Sequence, residues 1–240
     1  MTFKKLDRTT LAKQVVREIR RQVFSGALKS GERVVEMEIA SAMGISRGPI
    51  REAFAELVKE GLLIVNPGQG TYVKNFAIKD IWEIYTLRAL LEGYAVTLAL
   101  DRLQEQDLNW LRDLLNRISD AAAKKDVIEV AQLNMQFHQK IMDLSEHKLL
   151  CATWRSVLAQ TRMLSAMTTE FYTNPNDIRK THEILLEALI TGDKEHNRKC
   201  FEDHILVSMN QLIAYLRKIQ GQEDSQATLP PSPAVRPLKS

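Results

Sequence analysis

Apolar positions along the first 75 residues recur at helical spacing and then give way to strand-like runs. Leu11, Val15, Ile19 and Val23 are four apart and predict one apolar stripe on a helix from about Thr10 to Phe24. Ser25-Gly26 and Ser30-Gly31 then punctuate the chain. A short helix fits Glu36 to Met43, with Ile39, Ala40 and Met43 apolar, and Gly44 supplies the tight turn that stops it. Ser46 is a good N-cap residue type for a third helix, Pro49 is tolerated in its first turn, and Ile50, Phe54, Leu57 and Val58 form its buried face up to Glu60-Gly61. The apolar run Leu62-Leu63-Ile64-Val65, the turn chemistry of Asn66-Pro67-Gly68-Gln69-Gly70 and the β-prone Thr71-Tyr72-Val73 predict a hairpin.

From Ile78 onward the period is helical almost throughout. Helices are expected at about Asp80–Ala99, Glu105–Ala123, Val127–Leu144, Lys148–Thr168, Pro175–Thr191 and Lys194–Gln220. Short connections, with a tight joint at Gly192-Asp193, favour an antiparallel arrangement. The fold class is therefore mainly α: an N-terminal winged helix-turn-helix (three helices plus a β-hairpin, 1–75), a linker (76–79) and a C-terminal antiparallel all-helical bundle (80–220). Residues 221–240 hold four prolines and little apolar content, and are expected to be a disordered tail.

Composition narrows the class. Hydrophobic residues make up 45% and charged residues 26%, a globular balance with enough apolar material for a sizeable core. The two cysteines, Cys151 and Cys200, rule out a disulfide framework and leave at most one bridge. The polar start and the lack of a long apolar run argue for a cytoplasmic protein with no membrane partner. The net charge of +3 is uneven: residues 1–75 carry 13 Lys and Arg against 8 Asp and Glu, the remainder 20 against 22. A basic N-terminal part suits nucleic acid.

The segment from Glu38 to Phe54 gives the sharpest signal. A short helix, a glycine turn and a longer helix would present the start of the second helix to a major groove. Ser46, Arg47 and Arg51 lie in that first turn and a half, and the two arginines share a face. Arginine can bond guanine O6 and N7 bidentately or clamp a phosphate. On their own, two helix arginines are usually just solvated charges; the ordered combination of helix, turn, arginine-bearing helix and glycine-rich hairpin favours DNA. Gly68, Gln69 and Gly70 would form the wing tip, where small residues let the backbone approach the sugar-phosphate rail.

The stretch from Gly26 to Val73 resembles the winged helix-turn-helix of GntR-type bacterial regulators. The resemblance is carried by Gly26-Ala27-Leu28, Ser30-Gly31-Glu32-Arg33-Val34, Met43-Gly44-Ile45-Ser46-Arg47, Pro49-Ile50-Arg51-Glu52-Ala53, Glu60-Gly61-Leu62 and Pro67-Gly68-Gln69-Gly70-Thr71-Tyr72-Val73. It adds Arg33 to the candidate DNA contacts. Ser30 stands where the family usually has proline, Gly48 where it has threonine or serine, and Met37 where some members carry a base-contacting arginine. Residues from about Lys79 to Arg217 resemble the FadR-type effector domain, through Arg88-Ala89-Leu90-Leu91-Glu92, Asn134-Met135-Gln136-Phe137-His138, His182 to Ala188, and Gly192-Asp193 leading to His204-Ile205.

The histidines are also legible from spacing. Asn134 and His138 are four apart on one helix. His182 lies about ten residues before the Gly192-Asp193 joint and His204 about eleven after it, so an antiparallel pair would bring them level. Three imidazoles and the Asn134 oxygen could then hold a divalent transition metal, zinc or nickel by ligand type. They could equally be hydrogen-bonded core histidines, or bind an anionic effector directly. The family's commonest ligand set has aspartate where Asn134 stands. Arg88 could hold an effector carboxylate or pair with Glu92; Arg162 is a second effector candidate, among methionines (Met163, Met167) that suit core packing.

The resemblance implies a homodimeric regulator, more often a repressor, that binds pseudo-palindromic operator DNA under the control of a small organic-acid effector. The alternative is a helical metalloenzyme in which His138, His182 and His204 activate water. No partnered general base is evident near them and an enzyme would not account for the wing, so an enzyme is not expected.

Overall fold

The computed structural model describes residues 9–24, 26–169 and 176–219. The chain divides into two compact units, 1–75 and 76–240; the expected tail, 221–240, and Pro175 lie outside the described residues.

The first unit runs α1 (Thr9–Phe24), β1 (Arg33–Val34), α2 (Glu36–Met43), α3 (Arg47–Lys59), β2 (Leu63–Asn66) and β3 (Gly70–Val73). The buried stripe of α1 is Ala12, Val15, Val16, Ile19 and Val23, and it packs on α3. Leu11, expected in that stripe, is 41% exposed. A strict step of four drifts around a helix of 3.6 residues per turn, so a stripe built on Val15 and Ile19 takes Ala12 rather than Leu11 at its start. From α3, Ile50, Ala53, Phe54 and Leu57 are buried, whereas Val58 is only half-buried.

The hairpin gains a third strand. β1 pairs antiparallel with β3 (Arg33 opposite Tyr72, Val34 opposite Thr71), giving the order β1-β3-β2. Two residues are too few to show alternation, so only the longer pair was visible in the sequence. Leu62 and Leu63 turn into the core while Ile64 and Val65 are exposed. Gly44, at φ 64°, closes α2 in the left-handed region that glycine adopts without strain. Ser46 occupies the N-cap of α3 in extended conformation, but its side chain makes no capping hydrogen bond.

The second unit is α4 (Ile78–Ala99), α5 (Glu105–Ala123), α6 (Val127–Leu144), α7 (Lys148–Thr169), α8 (Asn176–Thr191) and α9 (Lys194–Ile219). α4 starts earlier than its apolar period suggests, because the Asp80 carboxylate accepts the Ala77 N–H at 2.8 Å and Phe76 is buried. That leaves little of the expected linker. α4 packs most extensively along α9 and also meets α6 and α7. Gly93 permits this approach: a Cβ there would stand 2.7 Å from Glu202 Cγ.

One core joins Leu111, Leu114 and Ile118 of α5 to Phe137 of α6, Leu185 of α8 and Phe201 of α9. A second joins Ala95, Met142, Leu150, Cys151 and Trp154. Cys151 and Cys200 are both free and belong to different cores. No described helix is long and apolar enough to cross a membrane.

Leu57 is fully buried at the centre of the first unit. Leu57→Ala is expected to lower its stability by about 2–5 kcal/mol, read as a lower urea midpoint by far-ultraviolet circular dichroism; an unchanged midpoint would contradict this packing.

Candidate DNA interface and metal centre

In the first unit, α3 presents Arg47 and Arg51 to solvent, with side chains 56% and 62% exposed. Both reach the same atom: Glu36 Oε2, at the start of α2, accepts from Arg47 Nη2 at 3.1 Å and from Arg51 Nε at 2.9 Å. Burial raises the Glu36 carboxyl pKa, but the hydrogen bonds and charges of Arg51 and Arg47 outweigh this and hold it below the usual range. Sequence reading missed Glu36, whose partners lie 11 and 15 residues away on another helix.

Ser46 is exposed just ahead of the arginines. In the wing, the Gln69 N–H bonds Asn66 O at 3.0 Å to close the turn, and Gly68 sits at φ 73°. Tyr72 Oη donates to Gln69 O at 3.3 Å. Arg33 on β1 lies flat against Gly70, where a Cβ would meet its Nε at 3.0 Å. A larger residue at 70 would displace that guanidinium; Arg33, Gly68 and Gln69 are exposed and Gly70 is half-buried beside them.

In the second unit, His138 of α6, His182 of α8 and His204 of α9 converge. Their ring centroids are 5.5 Å (His138–His182), 5.4 Å (His138–His204) and 4.6 Å (His182–His204) apart. One ligand nitrogen from each lies within 4.8 Å of the others. Asn134 is half-buried one helical turn before His138. Phe137 packs edge-on against the His182 ring at 5.0 Å and walls the cluster on one side.

The ring chemistry suits a cation. His182 Nδ1 donates to Ile178 O at 2.9 Å, which selects its tautomer and leaves Nε2 as a lone pair. That Nε2 is buried with no hydrogen-bond partner. Burial, then the His138 charge, pushes the His182 pKa down to about 3, against the backbone hydrogen bond and Glu92, which raise it. Burial likewise holds His204 well below the ordinary imidazole value, helped by His182 and His138. Two neutral imidazoles with inward lone pairs fit a divalent transition metal better than an anion, which would need charged donors.

Behind His138 stands a buried carboxylate. Glu92 Oε2 is 2.6 Å from His138 Nδ1. Glu92 Oε1 accepts from Trp154 Nε1 at 2.7 Å and from Arg88 Nε at 3.0 Å. Burial raises the Glu92 pKa, but Arg88, His138 and Trp154 together outweigh it and bring it to about 2. With Nδ1 facing Glu92, His138 keeps Nε2 for the cluster. Of the two roles open to Arg88, the geometry shows the pairing with Glu92. Arg162 is half-buried on α7.

A winged helix-turn-helix followed by a helical unit with a polar interior is the build of a DNA-binding transcriptional regulator. Residues 11–73 match the family described as bacterial regulatory proteins, gntR family, and residues 83–206 match the FCD domain. The HTH-type transcriptional regulator McbR of Escherichia coli is 31% identical over 215 residues, covering 88% of this chain and 96% of McbR. The uncharacterized HTH-type transcriptional regulator YdhC of Bacillus subtilis is 29% identical over 224 residues, covering 92% of this chain and 98% of YdhC. The solved structure of E. coli McbR superposes with a TM-score of 0.70 over 88% of this chain and 98% of that one. This chain belongs to the GntR family of bacterial transcriptional regulators, with an FCD domain as its second unit. The family and these relatives are regulators of transcription, not enzymes, which sets aside the metalloenzyme alternative.

The buried histidines give the metal-free protein an acid dependence of defined sign. An unfolded histidine takes up its proton near 6.5, whereas His182 resists protonation until about 3. Its contribution is therefore complete above pH 6.5 and lost as the pH falls toward 3, by roughly 1 kcal/mol per pH unit. His204 acts in the same direction. Urea midpoints taken in chelator should be lower at pH 5 than at pH 7.5; equal midpoints would contradict neutral burial.

Proposed function

We propose that this chain is a homodimeric repressor that binds a pseudo-palindromic operator and is controlled by a small organic acid at a metal-containing site. The observation that carries the reading is the convergence of His138, His182 and His204, buried or half-buried, with His182 and His204 held neutral by burial, in a unit that follows a DNA-binding one.

In the first unit, Arg47 and Arg51 read base edges or clamp phosphate, with Ser46 at the mouth of α3. Arg33, Gly68, Gln69 and Gly70 bring the wing to the sugar-phosphate rail. Two copies related by a twofold axis present two such helices, hence two half-sites of opposite sense. In the second unit, His138, His182 and His204 would hold zinc or nickel, with the Asn134 carboxamide as oxygen donor. Such a metal supplies Lewis-acid positions that attract a carboxylate. Arg88, which donates Nε to Glu92, and Arg162 are the candidate contacts to that carboxylate. Control requires that effector favour one of two arrangements that differ in DNA affinity.

Duplexes enriched from a randomised pool by the purified chain supply the DNA for the first test. Arg51→Ala should weaken the enriched duplex by about 5–150-fold, corresponding to about 1–3 kcal/mol for a bidentate base contact, and relax preference at one base pair. Unchanged affinity and preference would refute the base contact. For the metal, the chain is stripped with chelator, reloaded with zinc and assayed by elemental analysis and chelator competition. His182→Ala should abolish stoichiometric zinc, and Glu92→Gln should weaken it by about 10–100-fold through His138. Full retention of zinc by both variants would refute the site.

A further inference from the structure

Glu36 carries negative charge into the surface proposed to meet DNA, and stability does not explain it. Its two ion pairs are exposed, a setting in which such pairs contribute close to nothing. The favourable acid at a helix N-terminus is already provided by Glu38 in the same turn. Beside a phosphate-binding surface, a carboxylate weakens binding to every DNA sequence. Only a gain in discrimination offsets that cost.

We infer that Glu36 is a positioning residue for sequence reading: its carboxylate holds Arg47 and Arg51 in the pose in which they meet base edges. The inference rests on the DNA-reading role proposed for those two arginines. Glu36 belongs to α2, so it ties the reading helix to its neighbour through side chains as well as through the Gly44 turn. One oxygen, Oε2, serves both arginines, which couples guanidinium groups one helical turn apart to each other.

The atoms used are informative. Arg51 donates through Nε, at 2.9 Å. A guanidinium has five N–H donors in a planar fork, and the edge formed by its two terminal nitrogens matches guanine O6 and N7. Glu36 takes the Nε side of Arg51 and leaves that edge open. Arg47 donates through one terminal nitrogen, at 3.1 Å, and keeps its other nitrogens for a base or a phosphate. Both side chains are thus ordered before DNA arrives, and the ordering of a long side chain is one of the main losses on binding.

The test separates positioning from simple repulsion by sign. Wild type, Glu36→Gln, Arg51→Ala and the double variant Glu36→Gln/Arg51→Ala are each measured against the pool-enriched duplex and against a scrambled duplex at one salt concentration. If Glu36 positions the arginines, Glu36→Gln binds the scrambled duplex as well as or better than wild type, yet loses about tenfold in the ratio of enriched to scrambled affinity. A pool re-enriched with Glu36→Gln should have lost preference at the base pair that Arg51→Ala also relaxes. In the Arg51→Ala background the substitution should lower the ratio by clearly less, because the two residues act together. Equal strengthening on both duplexes, or no change in the ratio, overturns the inference while leaving DNA reading intact. If the wild-type chain enriches no sequence at all, the DNA-reading role falls, and the inference with it. Melting temperatures of all four proteins show whether the variants are folded; a Glu36→Gln protein that melts as wild type but keeps the wild-type ratio is again a refutation.

Discussion

A carboxylate that is 1% exposed has to be surrounded by its own partners, and the second unit is arranged so that Glu92 is. Arg88 comes from the same helix one turn earlier, His138 from α6 and Trp154 from α7. Removing any one of them leaves a buried charge incompletely compensated, so three helices are tied to one group. This sets the rotation of α4 about its axis and the orientation of the His138 ring. Once that ring is fixed, the tight α4–α9 contact at Gly93 and the α8–α9 reversal at Gly192 bring His204 and His182 up to it. The candidate metal centre therefore depends on an ion-pair network that lies outside its own set of ligands.

Local signals made most of the fold legible. The apolar period and the glycine joints placed α2, α5 and α6 at their observed limits, because turn chemistry and amphipathicity act over a few residues. The level placement of His182 and His204 followed from counting residues out from one tight turn, and the rings are 4.6 Å apart. Pairings over long sequence separations were not visible. β1 is two residues long and is defined only by β3, nearly forty residues downstream. Trp154 is 62 residues from Glu92, and Glu36 is 15 from Arg51. No period records such contacts. The pairing of Arg88 with Glu92 was one of two roles its residue type permits, and that pairing is formed.

The two units each set arginine against glutamate, and solvent makes the two arrangements behave differently. Glu36, Arg47 and Arg51 lie in water, where a charge pair is worth about 0–1 kcal/mol. So weak a pair adds little to stability, and it occupies only the Nε side of Arg51, leaving the terminal edge for a base. Arg88 and Glu92 are 3% and 1% exposed. Breaking a buried pair by removing one partner costs about 3–5 kcal/mol, because the other charge is stranded. An effector carboxylate that meets Arg88 avoids that cost only if the Nε bond to Glu92 stays in place. The same argument favours a ligand that meets the second unit through groups not already neutralised, and the His182 nitrogen is one: it is buried, unprotonated and without a hydrogen-bond partner. A metal ion satisfies that nitrogen without drawing on Glu92, so the network that positions the histidines stays intact when the centre is filled.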